Sequence, residues 1–152
     1  MNKQDQLKLS SQVCFPIYSV SRLLTKSYKP YLDKMGITYP QYLVLLVLWE
    51  NDEVTVNQIT DKLLLNTNTV SPLLKRMQQS HLIERHRCTN DERRVIIQLT
   101  DKGKELKKEA IPIPEKLLQT LLTANIELPD IINLKELLEE WIGILGEQKQ
   151  KQ

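Results

Sequence analysis

The apolar residues change period within the stretch Leu65–Thr100, and this change constrains the fold more than any other feature of the sequence. Over Leu65–Met77 they recur at helical spacing and form one face for a core. That face consists of Val70, Leu73, Leu74 and Met77. Over Ile83–Leu99 the period falls to two, as in a strand. The alternating sets are Val95, Ile97 and Leu99 against Arg94, Ile96 and Gln98. Ile83–Arg87 can pair with this strand through a turn at Thr89–Asp91. The pattern predicts a helix followed by a two-stranded ribbon.

The polar face of this helix and the ribbon after it are basic. Between Asn66 and Arg94, six Lys and Arg residues stand against three acids, an excess of +3, whereas the whole chain carries +2. Short polar side chains followed by cations suit base edges and then phosphates. The predicted base-contacting residues are Thr67, Asn68, Thr69 and Ser71, and the predicted phosphate contacts are Lys75 and Arg76. A winged helix-turn-helix fits this pattern, and so, on charge alone, does an ordinary amphipathic helix with a solvated hairpin.

Capping signals delimit the neighbouring helices. Thr38–Gln41 and Thr55–Gln58 have the form of capping boxes, so each predicts the start of a helix. The run Tyr42–Trp49 is apolar on nearly every side, and its helix is therefore expected to be buried on nearly every side. The helix that begins after Thr55 runs through Leu63 and pairs with the following helix across a brief turn. Pro72 lacks an N–H, so we expect a loose first turn or a late start in that second helix.

The first helix is predicted to begin near Ser10 or Ser11, either of which can cap it. Its apolar stripe is Val13, Ile17, Val20 and Leu24. Pro16 inside a helix costs about 3 kcal/mol unless it lies in the first turn. The helix therefore either starts later than its capping residues suggest or bends beside Cys14. Lys29–Tyr31 opens a short segment that ends at Gly36.

The C-terminal third is predicted to be helical, with a cap at Thr100, an interruption at Pro112 and Pro114, and a restart at Leu128–Asp130. The terminal helices carry more apolar residues than one small core can cover. Their simplest use is a homodimer interface, which would place two recognition helices about 34–36 Å apart. The alternative is a monomer that hides these faces internally. We expect one domain over 1–152, with a core at 38–100 and dimerisation helices at 10–36 and 100–147.

Composition excludes several classes of protein. The longest apolar run is far shorter than the ~20 residues that span a bilayer, and the first residues are polar, so no membrane association is expected and the location is cytoplasmic. Two widely spaced cysteines do not indicate a structural disulfide. The sequence has no metal-ligand or phosphate-loop motif, and we expect no metal, no cofactor and no catalytic residue. His81 and His86 are assigned solvated or phosphate-facing roles.

Several segments resemble a known family. The helix Ser71–Met77 and the ribbon Asp91–Thr100 resemble the multiple-antibiotic-resistance regulators, MarR. The N-terminal segments look like the organic-hydroperoxide-resistance repressors, OhrR. Those segments are Cys14–Tyr18, Ser21–Pro30 and Ile37–Glu50. The resemblance implies a mainly α fold with a small β-wing, a winged helix-turn-helix with N- and C-terminal dimerisation helices, and a repressor that releases pseudo-palindromic double-stranded operator DNA when organic hydroperoxide oxidises a cysteine.

The resemblance also assigns residues. The reactive cysteine falls on Cys14, and the tyrosines that reach its sulfur from the partner subunit fall on Tyr28 and Tyr39, with Tyr18 beside them. In the ribbon, Asp91 orients Arg93, which enters the minor groove, and Arg94 joins the DNA-binding set. Pro16 departs from the aliphatic residue that the resemblance leads us to expect at its position.

The thiolate of Cys14 would attack the peroxide and become sulfenic acid. In the two-cysteine version of the family, the resolving cysteine comes from the partner's C-terminal helices, and residues 101–152 contain no cysteine. We therefore predict the one-cysteine mode, completed by a small cellular thiol or by over-oxidation. Cys88 is expected to be a bystander.

Other interpretations remain open at the level of sequence. A lone cysteine is commonly a buried filler, and the tyrosines could be ordinary core or interface residues. The signal could be a small aromatic ligand or general thiol stress, as in MarR-type regulators of virulence or resistance genes. A thiol peroxidase and a helical adaptor without a nucleic-acid role are further possibilities.

Overall fold

The computed structural model describes residues 5–88 and 91–149, with the side chains of 88, 91–93 and 147–149 left out. Short 3-10 turns at Asp5–Leu7 and Leu9–Ser11 precede the first α-helix. The helices are α1 Cys14–Met35, α2 Tyr39–Glu50, α3 Val56–Leu63, α4 Thr67–Gln79, α5 Asp101–Ala110, α6 Ile113–Leu121 and α7 Leu128–Lys149. The strands are β1 Val54–Thr55, β2 Ile83–Cys88 and β3 Asp91–Leu99. The chain divides into two compact units, which meet between Ile113 and Pro114 in the sequence.

Helix α1 has the late start that Pro16 made one of two alternatives, and it ends later than the sequence indicated. It starts at Cys14 rather than at Ser10 or Ser11. Pro16 is therefore its third residue, in the first turn, where the missing N–H would have had no partner within the helix. The prediction of a separate segment from Lys29 is wrong, because α1 continues through Pro30 to Met35. A proline's fixed φ is compatible with a helix, and Leu32 and Met35 beyond it are buried. Gly36 ends the helix in the left-handed region, as predicted.

Both predicted capping boxes are present. The Thr38 N–H donates to Gln41 Oε1 at 2.8 Å, and the Thr55 N–H donates to Gln58 Oε1 at 2.8 Å. Between them, α2 is buried on most sides, as its composition predicted, although Leu46 is exposed. Most of the fully buried residues of the first unit come from α2, α3, α4 and the two long strands. They include Val44, Leu45, Ile59, Val70, Leu74, Met77 and Ile97.

Helices α3 and α4 form the predicted helix-turn-helix pair. Leu64 ends α3 in the left-handed region, and Asn66 caps α4. The expectation of a loose first turn or a late start in α4 is wrong, because the helix is regular from Thr67 with Pro72 inside it. Val70, Leu73, Leu74 and Met77 are all buried, as their spacing predicted. Packing of this apolar face outweighs the one backbone hydrogen bond that Pro72 cannot make.

The sheet contains the predicted ribbon and one further strand. Strands β2 and β3 are antiparallel, with Ile83 opposite Leu99 and a register shift between Arg87 and Cys88. The short strand β1, which was not predicted, pairs antiparallel with β3 through Val54 and Ile97, giving the order β1-β3-β2. Of the predicted turn, residues 89 and 90 lie outside the described residues. Pairing with β1 therefore holds β3 in place at Ile96 and Ile97.

The C-terminal elements follow the predicted boundaries except at Pro114, which is the second residue of α6 rather than part of the interruption, because a helix does not use the N–H at that position. Thr100 caps α5 by accepting the Gly103 N–H at 3.1 Å, the helix stops before Pro112, and α7 begins at Leu128. In the second unit, α7 leaves a face of large apolar side chains exposed: Leu134, Leu137, Trp141 and Leu145. None of the described helices is both long enough and apolar enough to cross a bilayer.

Candidate nucleic-acid interface and tyrosine cluster

Helix α4 exposes the polar residues that the sequence singled out. Thr67, Asn68, Thr69, Lys75 and Arg76 are exposed, and Ser71 is half-buried. Asn66 Oδ1 accepts two hydrogen bonds, one from the Thr69 N–H and one from its hydroxyl, both at 2.9 Å. The Thr69 hydroxyl proton is therefore used within the cap, and only its oxygen remains to accept a bond from a base. The face has the composition that base edges and phosphates require.

The ribbon adds basic residues next to this helix in the sequence. Arg87 and Arg94 are exposed on β2 and β3, and the His86 Nε2 lies 3.2 Å from Glu84 Oε2. Asp91 and Arg93 belong to β3, but their side chains lie outside the described residues, as does that of Cys88. The structure thus places the backbone of the predicted arginine–carboxylate pair on the ribbon and leaves its contacts untested.

Three tyrosines form a cluster between the second half of α1 and the start of α2. The ring centroids of Tyr28 and Tyr39 are 4.9 Å apart, and those of Tyr28 and Tyr42 are 5.6 Å apart. Burial raises the pKa of Tyr28 and of Tyr39, and the neighbouring phenol adds to the effect at Tyr28. Burial, together with the same two neighbours, raises the pKa of Tyr42 to about 12. The cluster therefore favours neutral phenols, which can donate a hydrogen bond.

This shift predicts an alkaline loss of stability. The unfolded chain releases the Tyr42 proton near 10.0, whereas the folded chain holds it to about 12, so the stabilisation is complete below pH 10 and is lost as pH rises through 12. We expect the free energy of unfolding to fall by about 1–2 kcal/mol across that interval on this account. Urea unfolding at a series of pH values measures it. Tyr42→Phe should remove this part of the pH dependence, and Tyr18→Phe, at an exposed ring, should keep it.

Cys14 is the first residue of α1, and its side chain is exposed. Tyr18 follows one turn later, and the Arg22 guanidinium lies 5.4 Å from the centroid of the Tyr18 ring. Along the helix, Tyr28 stands about 21 Å from Cys14, given a rise of ~1.5 Å per residue. Within one chain, the structure therefore brings Tyr18 near the cysteine and keeps Tyr28 and Tyr39 away from it. A second copy would have to supply those two phenols.

A cleft of about 580 Å³ opens beside the tyrosine cluster, between α1 and the start of α2. Its walls include Arg22, Lys26 and Lys29, the ring of Tyr39 and the side chain of Leu32. The Lys29 Nζ is already paired with an Asp33 carboxylate at 2.6 Å. The cleft combines cations with apolar and aromatic walls.

Two residues of this region were missed at the level of sequence. Tyr42 follows Tyr39 at a spacing of three on one helix, so the shared face was readable from the sequence. Arg22 follows Tyr18 at a spacing of four, which places the cation beside the ring. The contact of Tyr28 with the other two rings had no such local signal, because it joins two helices.

A helix-turn-helix followed by a two-stranded ribbon, the wing, in a three-stranded sheet defines the class of this protein as a winged-helix nucleic-acid-binding protein. Residues 26–110 match the family described as Transcriptional regulator SarA/Rot. The chain belongs to this MarR-type family of winged-helix transcriptional regulators.

Individual relatives agree with this placement. The organic hydroperoxide resistance transcriptional regulator of Bacillus subtilis (strain 168) is 51% identical over 117 residues, covering 77% of this chain and 80% of that protein. The HTH-type transcriptional regulator MgrA of Staphylococcus aureus is 37% identical over 148 residues, covering 97% and 99%. These relatives are regulators rather than enzymes, in agreement with the predicted absence of a catalytic role. The resemblance stated from the sequence is confirmed.

Solved structures give the same fold. The structure of reduced AbfR bound to DNA has a TM-score of 0.79 and 38% identity, with 96% of this chain and 98% of that chain covered. Disulfide-formed AbfR has a TM-score of 0.62 and 40% identity, with 92% and 96% covered. AbfR is a protein of Staphylococcus epidermidis.

Proposed function

We propose that this chain is a homodimeric repressor that binds operator DNA and releases it when an organic hydroperoxide oxidises Cys14. The observation that carries the proposal is the position of that cysteine: its side chain is exposed, and it is the first residue of α1. A peroxide can reach a thiol in this position, and a thiol is a group that hydroperoxides oxidise to sulfenic acid. The 51% identity to an organic hydroperoxide resistance regulator supports the same chemistry.

The DNA-binding part of the proposal rests on α4 and the ribbon. Thr67, Asn68, Thr69 and Ser71 would contact base edges, and Lys75 and Arg76 would contact phosphates. On the ribbon, Arg93, oriented by Asp91, would enter the minor groove, with Arg94 beside it. The structure of reduced AbfR bound to DNA, a chain 38% identical to this one, supports DNA binding.

The dimer rests on apolar side chains that a single chain leaves in water. Val13, Ile17 and Val20 recur at helical spacing on α1 and are exposed, as is the face of α7. Contiguous exposed apolar surface of this kind marks interfaces. A second copy laid along α1 would also bring its Tyr28 and Tyr39 to the Cys14 of the first, which no arrangement within one chain achieves.

The proposed chemistry uses one cysteine of each subunit. The thiolate sulfur attacks the terminal peroxide oxygen, so an S–O bond forms, the O–O bond breaks and the alkoxide leaves and is protonated to the alcohol. Sulfur is oxidised by two electrons to sulfenic acid as the peroxide is reduced. A small thiol then displaces water to form a mixed disulfide. Residues 101–152 contain no cysteine that could resolve it instead.

The test is a titration of the full-length dimer with cumene hydroperoxide and glutathione while DNA affinity is followed by fluorescence anisotropy. The probe is a duplex selected from a random-sequence library by the reduced wild-type protein. We expect oxidation to weaken wild-type binding about tenfold, within the usual range of allosteric coupling. Cys14→Ser should bind the duplex and show no response. The matched control Cys88→Ser should respond like the wild type, and a full response of Cys14→Ser would refute the sensing role.

A second candidate signal is favoured by the cleft beside Tyr39. Its cations and apolar walls suit a small aromatic carboxylate. Adding salicylate to the same binding assay, without peroxide, separates the two. Release by salicylate with no effect of peroxide would favour a ligand-responsive regulator.

A further inference from the structure

Trp49, at the end of α2, contacts the tyrosine cluster on one side and α5 on the other. Its ring centroid lies 6.2 Å from that of Tyr42, in an edge arrangement at 70°. Its Nε1–H donates to the carbonyl oxygen of Gly103 at 2.9 Å. One side chain therefore joins the buried phenols to the first turn of the helix that follows the wing.

Gly103 is part of a crowded junction. Its N–H donates to the Thr100 hydroxyl, which in turn donates to the His81 carbonyl oxygen at 2.7 Å. The Thr100 N–H donates to the Leu82 carbonyl oxygen at 3.2 Å. Thr100 ends the wing, and His81 and Leu82 follow the recognition helix. The last residues of β3 and the chain leaving α4 thus meet at the peptide that Trp49 holds.

The end of α2 is fastened to the same region at two further points. Lys107 Nζ on α5 donates to the Trp49 carbonyl oxygen at 3.0 Å. The Leu99 N–H at the end of β3 donates to Asp52 Oδ1 at 2.9 Å. If α2 shifted relative to α1, its hydrogen bonds to Gly103 and Lys107 and the bond between Asp52 and Leu99 would have to break, or those residues would have to move with it.

We propose that Trp49 is a positioning residue that transmits rearrangement of the tyrosine cluster to the DNA-binding elements. The inference rests on the proposed function, since it assumes that oxidation of the partner's cysteine alters the packing of Tyr28 and Tyr39. Those rings contact Tyr42, Tyr42 contacts Trp49, and the indole N–H fixes the junction between wing and recognition helix. Loss of that one donor should uncouple sensing from release and leave DNA binding intact.

The experiment compares Trp49→Phe with wild type in the anisotropy assay, reduced and after cumene hydroperoxide with glutathione. A phenyl ring keeps an edge contact with Tyr42 and cannot donate to Gly103. We expect the reduced variant to bind the selected duplex within about threefold of wild type, and its loss of affinity on oxidation to shrink from about tenfold to less than about twofold. Glu50→Gln, at the next residue of α2, is the matched control, because it alters only an exposed ion pair with Lys62 and leaves the indole in place; it should respond like wild type.

Mass spectrometry of proteolytic peptides, which separates Cys14 from Cys88, checks that Cys14 is oxidised to the same extent in every variant. Full release of oxidised Trp49→Phe would overturn the role of Trp49 while leaving the proposed function in place. Absence of release in the wild type would overturn both. As a second measurement that does not depend on how the Trp49 variant folds, the Trp141→Phe protein reports Trp49 fluorescence alone, once sedimentation has shown that this variant is still a dimer. A change in its emission on oxidation supports the coupling, and an unchanged spectrum contradicts it.

Discussion

Leu137→Glu is expected to convert the dimer to a monomer and to weaken binding to a two-half-site duplex by about 10²–10⁴-fold. Leu137 lies in the exposed apolar face of α7, and an interface there would bury it. Burial of a leucine contributes about 1.5–3 kcal/mol, and a buried unpaired carboxylate costs considerably more. A monomer engages one half-site at a time and loses the gain in effective concentration from the second. Analytical ultracentrifugation and anisotropy measure the two effects.

The control is Lys135→Glu, on the opposite side of the same helix. Lys135→Glu changes the net charge by twice as much as Leu137→Glu does. It also removes an exposed ion pair with Glu139, and such pairs contribute little to stability. This variant should remain dimeric. If Leu137→Glu also sediments as a dimer with wild-type affinity for the duplex, the α7 face is not part of the interface.

Gly103→Ala is expected to lower the free energy of unfolding by about 3 kcal/mol. A Cβ at this position would lie 2.2 Å from the Leu82 carbonyl oxygen and 3.0 Å from the Leu99 side chain. The closer neighbour is backbone, held by the Thr100 N–H, so it cannot rotate away as a side chain could. Overpacking of this kind costs about 1–3 kcal/mol and more where the backbone must move, well above the ~1 kcal/mol that alanine adds to a helix. Urea unfolding measures the change.

Gly146→Ala serves as the comparison, since a Cβ there meets nothing within 4 Å. That variant should be neutral or slightly stabilised, by up to about 1 kcal/mol. Equal stability of the two variants would show that the junction at Leu82 accommodates a methyl group. The close packing at Gly103 would then not be what holds the wing against α5.

Local signals in the sequence predicted much of the fold. Each capping box, at Thr38 and at Thr55, needs only a threonine and a glutamine three residues later, and both form as expected. The apolar faces of α4 and β3 follow directly from spacing. Strand β1 had no such signal, because two residues have no measurable period and Val54 becomes a strand only by pairing with Ile97. The effect of Pro30 was misjudged because tertiary packing of the residues after it outweighs a local helix-breaking preference.

For the candidate site too, some features could be predicted from the sequence and others depend on how the helices pack. Exposure of Thr67, Asn68, Lys75 and Arg76 followed from helical periodicity alone. The tyrosine cluster did not, because Tyr28 reaches Tyr39 only once α1 and α2 have packed together. Spacing along a helix does show that Tyr28 cannot reach the cysteine of its own chain. The assignment of phenols to that sulfur therefore depends on a second copy, which one sequence cannot display.

The position of Pro16 limits how a chemical event at the sulfur can be relayed. Extending α1 upstream by one more regular turn would require an amide hydrogen from this residue, and it has none. Lengthening the helix at its amino end would therefore cost one backbone hydrogen bond, and residues 6–13 are exposed, so no buried face there offsets the loss as packing does around Pro72. If the sulfur gained an oxygen or a thiol adduct, the added bulk would have to be accommodated by whatever packs against this end of the helix. A helix end whose backbone stays fixed would pass the added bulk on by displacing the side chains packed against it.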